Sequence, residues 1–256
     1  MKLWCCASRV GVTLLVMAAC AWGSDDWREF RSSEGGKSFV GQVVGYDPAK
    51  RVVTVRMKEG GGQVEVAVEK LSAADRKFVE EEGQRLAAAR FLRVRFDKTQ
   101  EKSGESTKNS DTAKTTTTKY AAGYRIAVEN FAPHPLKDIT VEYLLVWKKD
   151  SLHGGAGNEK GEKGTKKIPL VANGTTATVT TETVTLEAID QQGKTVRNRN
   201  KSGSNKGKTT TRTHPDARAR DTLVGCVVWI KVGGQTVKTE ASSPALLGRF
   251  GKSGSR

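Results

Sequence analysis

Residues 64–81 read VEVAVEKLSAADRKFVEE, and the chain changes period in the middle of them. Val64, Val66 and Val68 alternate with Glu65, Ala67 and Glu69, the two-residue period of a half-buried strand. Leu71 and Ser72 follow, and from Ser72 onward the pattern is that of a capped helix. A serine hydroxyl suits the N-cap because it accepts from an otherwise unsatisfied N–H of the first turn, and Asp75 stands at N3 as in a capping box. Asp is shorter than the usual Glu, so only part of that motif's benefit is expected. Phe78 and Val79 give the first turns an apolar patch able to close the open end of a small barrel. Gly83 weakens or ends the helix, and residues 84–92 resume helical character as a connector.

Upstream, strand signals are dense. Residues 27–30 (WREF) start a strand, Ser32 to Lys37 make a turn, and 38–46 (SFVGQVVGY) form a second strand. Asp47 to Lys50 turn the chain, with Pro48 presetting its φ. RVVTVRMK is a third strand, with Val53, Val55 and Met57 on one side. The glycines at 60–62 turn the chain into the fourth strand. Short antiparallel strands joined by tight turns predict a small, strongly bent sheet or barrel.

Trp27, the Gly36-Lys37 turn, the valines of RVVTVRMK, the glycine turn, VEVAV and LSAADRKFV together resemble the SLA-one homology domain (SHD-one), an SH3-like small barrel. Leu71, Ser72 and Asp75 supply its L-S-x-x-D segment, the sharpest part of the match. Residues 27–82 are covered, under a quarter of the chain. Many members carry Val-Pro before that segment, where this chain has Val66-Ala67. Similar domains occur behind signal peptides in exported planctomycete and verrucomicrobial proteins. The resemblance implies a non-catalytic protein-binding module. It transfers no ligand and no contact residue, because the matching residues are structural. If the barrel has a peptide groove, Trp27, Phe30 and Tyr46 are its candidate contacts; each can equally be core or edge packing.

The N-terminus reads as an export segment. Lys2 and Arg9 make a basic n-region, and Val10 to Ala21 an apolar stretch of signal-peptide length. Ala21 and Gly23 form a small-residue cleavage site before Ser24, so residues 1–23 are the leader and 24–82 the barrel. Alternatively, MAAC ending at Cys20 resembles a lipobox, with Met17 where Leu is usual, and Cys20 would then be a lipid anchor. Both readings predict export to the periplasm, outer membrane or exterior. After cleavage Cys226 is the remaining cysteine, so no intrachain disulfide is possible. It lies in TLVGCVVWIKV, apolar on both faces, where a thiol behaves as a small core hydrophobe.

Residues 93–250 read as an immunoglobulin- or fibronectin-like β-sandwich, with 251–256 a tail. The strands are FLRVRFD, YRIAVENF, ITVEYLLVW, KKIPLV, TATVTTETVTLEAI, TLVGCVVWIKV and QTVKTEAS. Ile139, Val141, Tyr143, Leu145 and Trp147 fall on one face. Asp97 to Thr118, rich in Lys, Ser and Thr with no apolar period, reads as a mobile loop. Residues 148–167 and 191–220 read as insertions. The second carries Lys194, Arg197, Arg199, Lys201, Lys206, Lys208, Arg212, Arg218 and Arg220 against the single acid Asp216, and is not expected to be ordered alone.

The formal charge is +15, of which Lys2 and Arg9 belong to the leader. Such an excess favours polyanions: nucleic acid, anionic lipid or acidic glycan. Residues 191–220 contain no aromatic residue to stack on bases, so phosphate or headgroup contact without base reading is the form expected. His134, His153 and His214 show no metal-ligand spacing. No Walker loop or G-x-S-x-G elbow is present, and Glu182 and Glu187, five apart on one predicted strand, point to opposite faces. No cofactor, metal, catalytic residue or small-molecule substrate is implied. The sequence thus predicts a mainly β, non-catalytic exported protein that binds a protein or cell-envelope partner. A polyanion-binding envelope protein is the alternative, and a hydrolase with loop-borne carboxylates stands behind both.

Overall fold

The computed structural model describes residues 27–152, 157–199 and 209–251. The leader, Cys20, Lys201, Lys206, Lys208 and residues 252–256 lie outside them. The chain is mainly β, and it begins with the four predicted strands: β1 (Arg28–Arg31), β2 (Ser38–Asp47), β3 (Val52–Met57) and β4 (Gln63–Ala67). They pair in sequence order, all antiparallel. Among the described residues no sheet closes into a barrel. After β4 a 3-10 turn (Val68–Lys70) carries the chain back to β1, where Ser33 N donates to Lys70 O (2.9 Å) and Ser72 N to Arg31 O (2.8 Å). Phe30, Val43, Val53, Val55, Val68, Leu71 and Val79 form the core of this unit.

Helix α1 (Ala73–Phe91) starts at Ser72, whose Oγ accepts from Asp75 N (3.2 Å). The capping box is incomplete for the reason its short acid suggests. Ser72 N is taken by Arg31, and the Asp75 carboxylate turns to β1 instead. There it accepts from Arg31 N (2.9 Å) and Arg28 Nε (3.0 Å), and from Ser72 Oγ (2.7 Å). Gly83 does not end the helix, which runs unbroken for 19 residues. The missing side chain admits the ring of Tyr46, so tertiary contact offsets the weak helix propensity of glycine. The first half of α1 packs on the small core through Val79, while Ala87, Ala88 and the following Leu92 enter a second, larger one.

The second core lies between two antiparallel sheets. One contains β5 (Leu92–Asn109), β6 (Ala113–Asn130), β9 (Thr176–Thr180), β10 (Val184–Gly193) and β13 (Ala217–Arg220), with β9 and β10 both paired to β6. The other has the order β15 (Gln235–Ala241), β14 (Thr222–Val232), β7 (Leu136–Lys148), β8 (Glu159–Val171). Ile126, Val128 and Leu186 from the first sheet meet Ile139, Val141, Tyr143, Leu145, Val228 and Ile230 from the second. Trp147 packs at the margin of the same face, as the alternation predicts. Cys226 is fully buried in this core. The opposite face of β7 and β14, with Leu144, Val146, Val227 and Trp229, is covered by Leu246 of a short helix, α2 (Pro244–Phe250). Burial on both faces explains the unbroken apolar runs LLV and CVVWI.

Three sequence readings are corrected. Asp97 to Thr118 is not a loop: β5 and β6 form one long hairpin, closed by Ser110, whose Oγ both donates to Ala113 O and accepts from Ala113 N (both 3.0 Å). The segment lacks an apolar period because little of it is buried, yet its β-branched threonines suit a ladder. Residues 159–167 of the glycine- and lysine-rich insertion belong to strand β8, paired along β7. TATVTTETVTLEAI is two strands rather than one. Thr181, 5 % exposed, interrupts it, donating its N–H to Tyr124 O and accepting from Tyr124 N through Oγ1 (both 3.0 Å). Gly123 leaves room for that hydroxyl, which a Cβ would approach to 2.9 Å.

Candidate functional site

The candidate peptide-groove residues do not share an exposed surface. Phe30 is fully buried, stacked on Phe39 with centroids 5.3 Å apart and tilted against Phe78, because it occupies the inward position opposite Phe39 in the β1–β2 register. Its reading as a groove contact is therefore corrected to core. Tyr46 is half-buried against Gly83, and burial raises its hydroxyl above the ordinary range. Trp27 is half-exposed immediately before β1.

The basic segment has order that its composition did not predict. Strand β10 continues past Gly193 into β11 (Thr195–Arg199), which pairs with β12 (Thr209–Thr213), and the chain returns as β13. The register of Gln191 with Ala217 is the one that places Thr195 opposite Thr213, so a single hairpin spans all four strands. Local interactions hold its waist. Gly193 N donates to Asp216 Oδ1 (2.8 Å) and His214 N to Lys194 O (3.2 Å). Lys194 donates its N–H to Thr112 O and its Nζ to Ser110 O (both 2.8 Å), binding the waist to the tip of the β5–β6 hairpin. Beyond the waist, β11 and β12 pair only with each other and bury no described side chain.

The structure divides the basic candidates. Arg197 and Arg212 are exposed on the ribbon, and Arg199 pairs with Thr209 in its register. Arg218 and Arg220 instead belong to β13, the edge strand of the five-stranded sheet. Arg218 Nε meets Asp190 Oδ1 at 3.1 Å on an exposed surface, a pair of little energetic consequence. Among the described residues, Arg197, Arg212 and Arg220 have no carboxylate within ion-pair distance.

At the foot of the ribbon is a concavity of about 400 Å³ lined by Asp190, Gln191, Gln192, Asp216, Arg218 and Arg220. It arises because strand alternation continues after the core ends. Val184 and Leu186 face the apolar interior, and two further steps along β10 the same side presents Asp190 and Gln192. Its wall is fixed by backbone contacts. Arg220 N donates to Asp150 Oδ2 (3.1 Å), Asp150 N to Asp221 Oδ1 (3.0 Å), and Asp221 exchanges hydrogen bonds with the Glu187 backbone. The N–H groups of Arg220 and Ser151 hold the Asp150 carboxyl below its ordinary range.

Other acids serve as ion-pair partners. Glu182 lies between β9 and β10, outside any strand, with its carboxylate 2.6 Å from Lys166 Nζ, which lowers its pKa; Glu187 sits 3.8 Å from Lys119. Among the described residues no cluster of three or more His, Cys, Asp or Glu side chains is placed to hold a metal ion, and no helix is long and apolar enough to cross a membrane. No family model matches this chain, and no curated protein matches it.

Proposed function

We propose that the chain is a non-catalytic binding protein of the cell envelope that holds an anionic polymer on the β11–β12 ribbon. The observation that carries this reading is the ribbon's composition and place. It projects from the sheet, contributes nothing to either core, and exposes Arg197 and Arg212 without carboxylate partners among the described residues. A two-stranded ribbon is marginal in water by itself; this one is anchored at its waist by Lys194 and Asp216. Cations such as Arg197 and Arg212 release counterions from a polyanion without reading its sequence. The ribbon is preferred to an aromatic peptide groove because Phe30 belongs to the core.

The scaffold reading goes with it. Residues 27–82 form an SH3-like unit of the SLA-one homology type, and 93–250 an immunoglobulin- or fibronectin-like sandwich. The return of Ser32 to Leu71 and the two sheets over a shared core support that assignment. The proposal is tested by replacing Lys194 to His214 with an Asn-Gly turn between Gly193 and Pro215, followed by heparin chromatography and salt titration. Loss of retention, with a shallower dependence of log K on log salt, supports the reading. Unchanged retention by a folded variant overturns it.

A further inference from the structure

We infer that the concavity at the foot of the ribbon is a sugar subsite, and that the anionic polymer is an acidic polysaccharide of uronate type. This rests on the proposed ribbon function and names its ligand. A surface built only to attract phosphates has no use for acids among its cations, since each repels the ligand. Here Asp190 and Asp216 line the same concavity as Arg218 and Arg220. Carboxylates become favourable where the ligand offers hydroxyl donors, because charged acceptors make the stronger hydrogen bonds. Sugars offer such donors at nearly every carbon; a nucleic-acid backbone does not.

The neighbouring groups fit the same ligand. Gln191 and Gln192 add amide donors and acceptors for ring hydroxyls, and Thr116 adds a hydroxyl. Arg218 is engaged by Asp190 (3.1 Å), while Arg220 has no carboxylate partner among the described residues. One guanidinium is thus available to take a ligand carboxylate in a fork. The backbone of Arg220 is fixed through Asp150, so the fork is presented from an ordered strand. At about 400 Å³ the concavity lies within the range of small-ligand sites. Residues 191–220 contain no aromatic residue for bases to stack on, which argues against single-stranded nucleic acid. Continuity with the ribbon lets one chain run from the subsite toward Arg212, which shares its face of the ribbon with its register partner Val196, while Arg197 lies on the other face.

The test uses the protein from Ser24 onward with three probes: polygalacturonate, heparin and a duplex DNA of mixed sequence. Asp216→Asn is the informative variant. Its Oδ1 still accepts from Gly193 N–H, so the waist survives, yet one negative charge is gone. General electrostatics then predicts tighter binding of every polyanion. The subsite predicts roughly ten-fold weaker binding of polygalacturonate, with DNA binding unchanged or tighter. Arg220→Gln is paired with Arg56→Gln, an equal charge change on the exposed face of β3. Arg220→Gln should lose several-fold more polygalacturonate affinity than Arg56→Gln. Tighter polygalacturonate binding by Asp216→Asn, equal losses in the two arginine variants, or a preference for DNA overturns the subsite while leaving the ribbon reading intact. Asp216-dependent polygalacturonate binding that survives ribbon replacement does the reverse.

Discussion

The ring of Tyr46 lies directly against the backbone of Gly83. A Cβ built on that glycine would come within 2.4 Å of Tyr46 Cδ1 and 2.7 Å of Cβ and Cγ. These contacts join β2 to the middle of α1 and thereby set the helix on the small sheet. Gly83→Ala exchanges a helix-propensity gain of about 1 kcal/mol for overpacking of about 1–3 kcal/mol. Urea melts should show a net loss in the wild-type background. With Tyr46→Ala the same substitution should become stabilising, a change of sign that additive effects cannot produce.

Asp75 is 3 % exposed and ties three chain segments together. Burial raises its pKa, but hydrogen bonds from Arg31 N–H, Ser72 and Arg28 outweigh burial and leave it below its ordinary value. A depressed carboxyl stabilises the fold fully above the unfolded-state pKa, and that contribution disappears as pH falls through the folded one. Stability should therefore drop below about pH 4, and Asp75→Asn should remove part of that slope. Asp75→Ala should cost about 2–4 kcal/mol in chemical denaturation, since Arg31 N–H and Arg28 lose their acceptor.

His134 has both ring nitrogens withdrawn from solvent with no hydrogen-bond partner among the described residues. Burial holds it below its ordinary value of 6.5, and the Asp47 carboxylate opposes this. The sign is that of a group kept neutral by folding: stability is complete above pH 6.5 and declines as pH falls toward the folded pKa. Melting temperatures at pH 7.5 and 5.5 should differ less in His134→Leu than in the wild type. They should differ more in Asp47→Asn.

Leu246 is 1 % exposed and covers Leu144, Val146, Val227 and Trp229. Leu246→Ala should cost about 2–4 kcal/mol by leaving a cavity over the outer face of the sheet. If a melt shows less than about 0.5 kcal/mol, α2 is not a structural cover.

Burial pushes the Cys226 thiol up to about 12. It should resist thiol reagents at pH 8 in the native protein and react once denaturant unfolds the chain.

Much of the small unit was legible because its signals are local. Valine alternation, Pro48, the glycine turn and Ser72 each act within a few residues, and all four strands and the helix start fell where they indicate. The inward face of β7 was readable for the same reason: Ile139 to Leu145 follow period two into one core. Cys226 behaved as the apolar residues around it suggested. Aromatic character alone could not decide exposure, and Phe30 shows why. Its burial depends on Phe39 and Phe78 arriving from other elements.

The hairpins show the opposite limit. Threonine- and lysine-rich strands have no apolar rhythm when neither face meets a core, so Asp97 to Thr118 and the basic ribbon resemble solvated loop in one dimension. For Asp97 to Thr118 the signal was β-branched composition around a short turn, which is weak without a partner strand. The foot of the ribbon was invisible for a further reason: Asp190 and Arg218 are far apart in the chain and meet through the pairing of β10 with β13.

By itself the sequence determined the mainly β class, the helix start at Ser72, the core character of Cys226 and the concentration of charge in residues 191–220. Each follows from local chemistry and side-chain periodicity. Only the tertiary structure decided that α1 passes through Gly83, that Asp75 reaches β1, and that Arg197 and Arg212 lie on a ribbon with a polar concavity at its foot. Those outcomes depend on which distant segments come into contact, and ladder pairing and packing set that, not propensity.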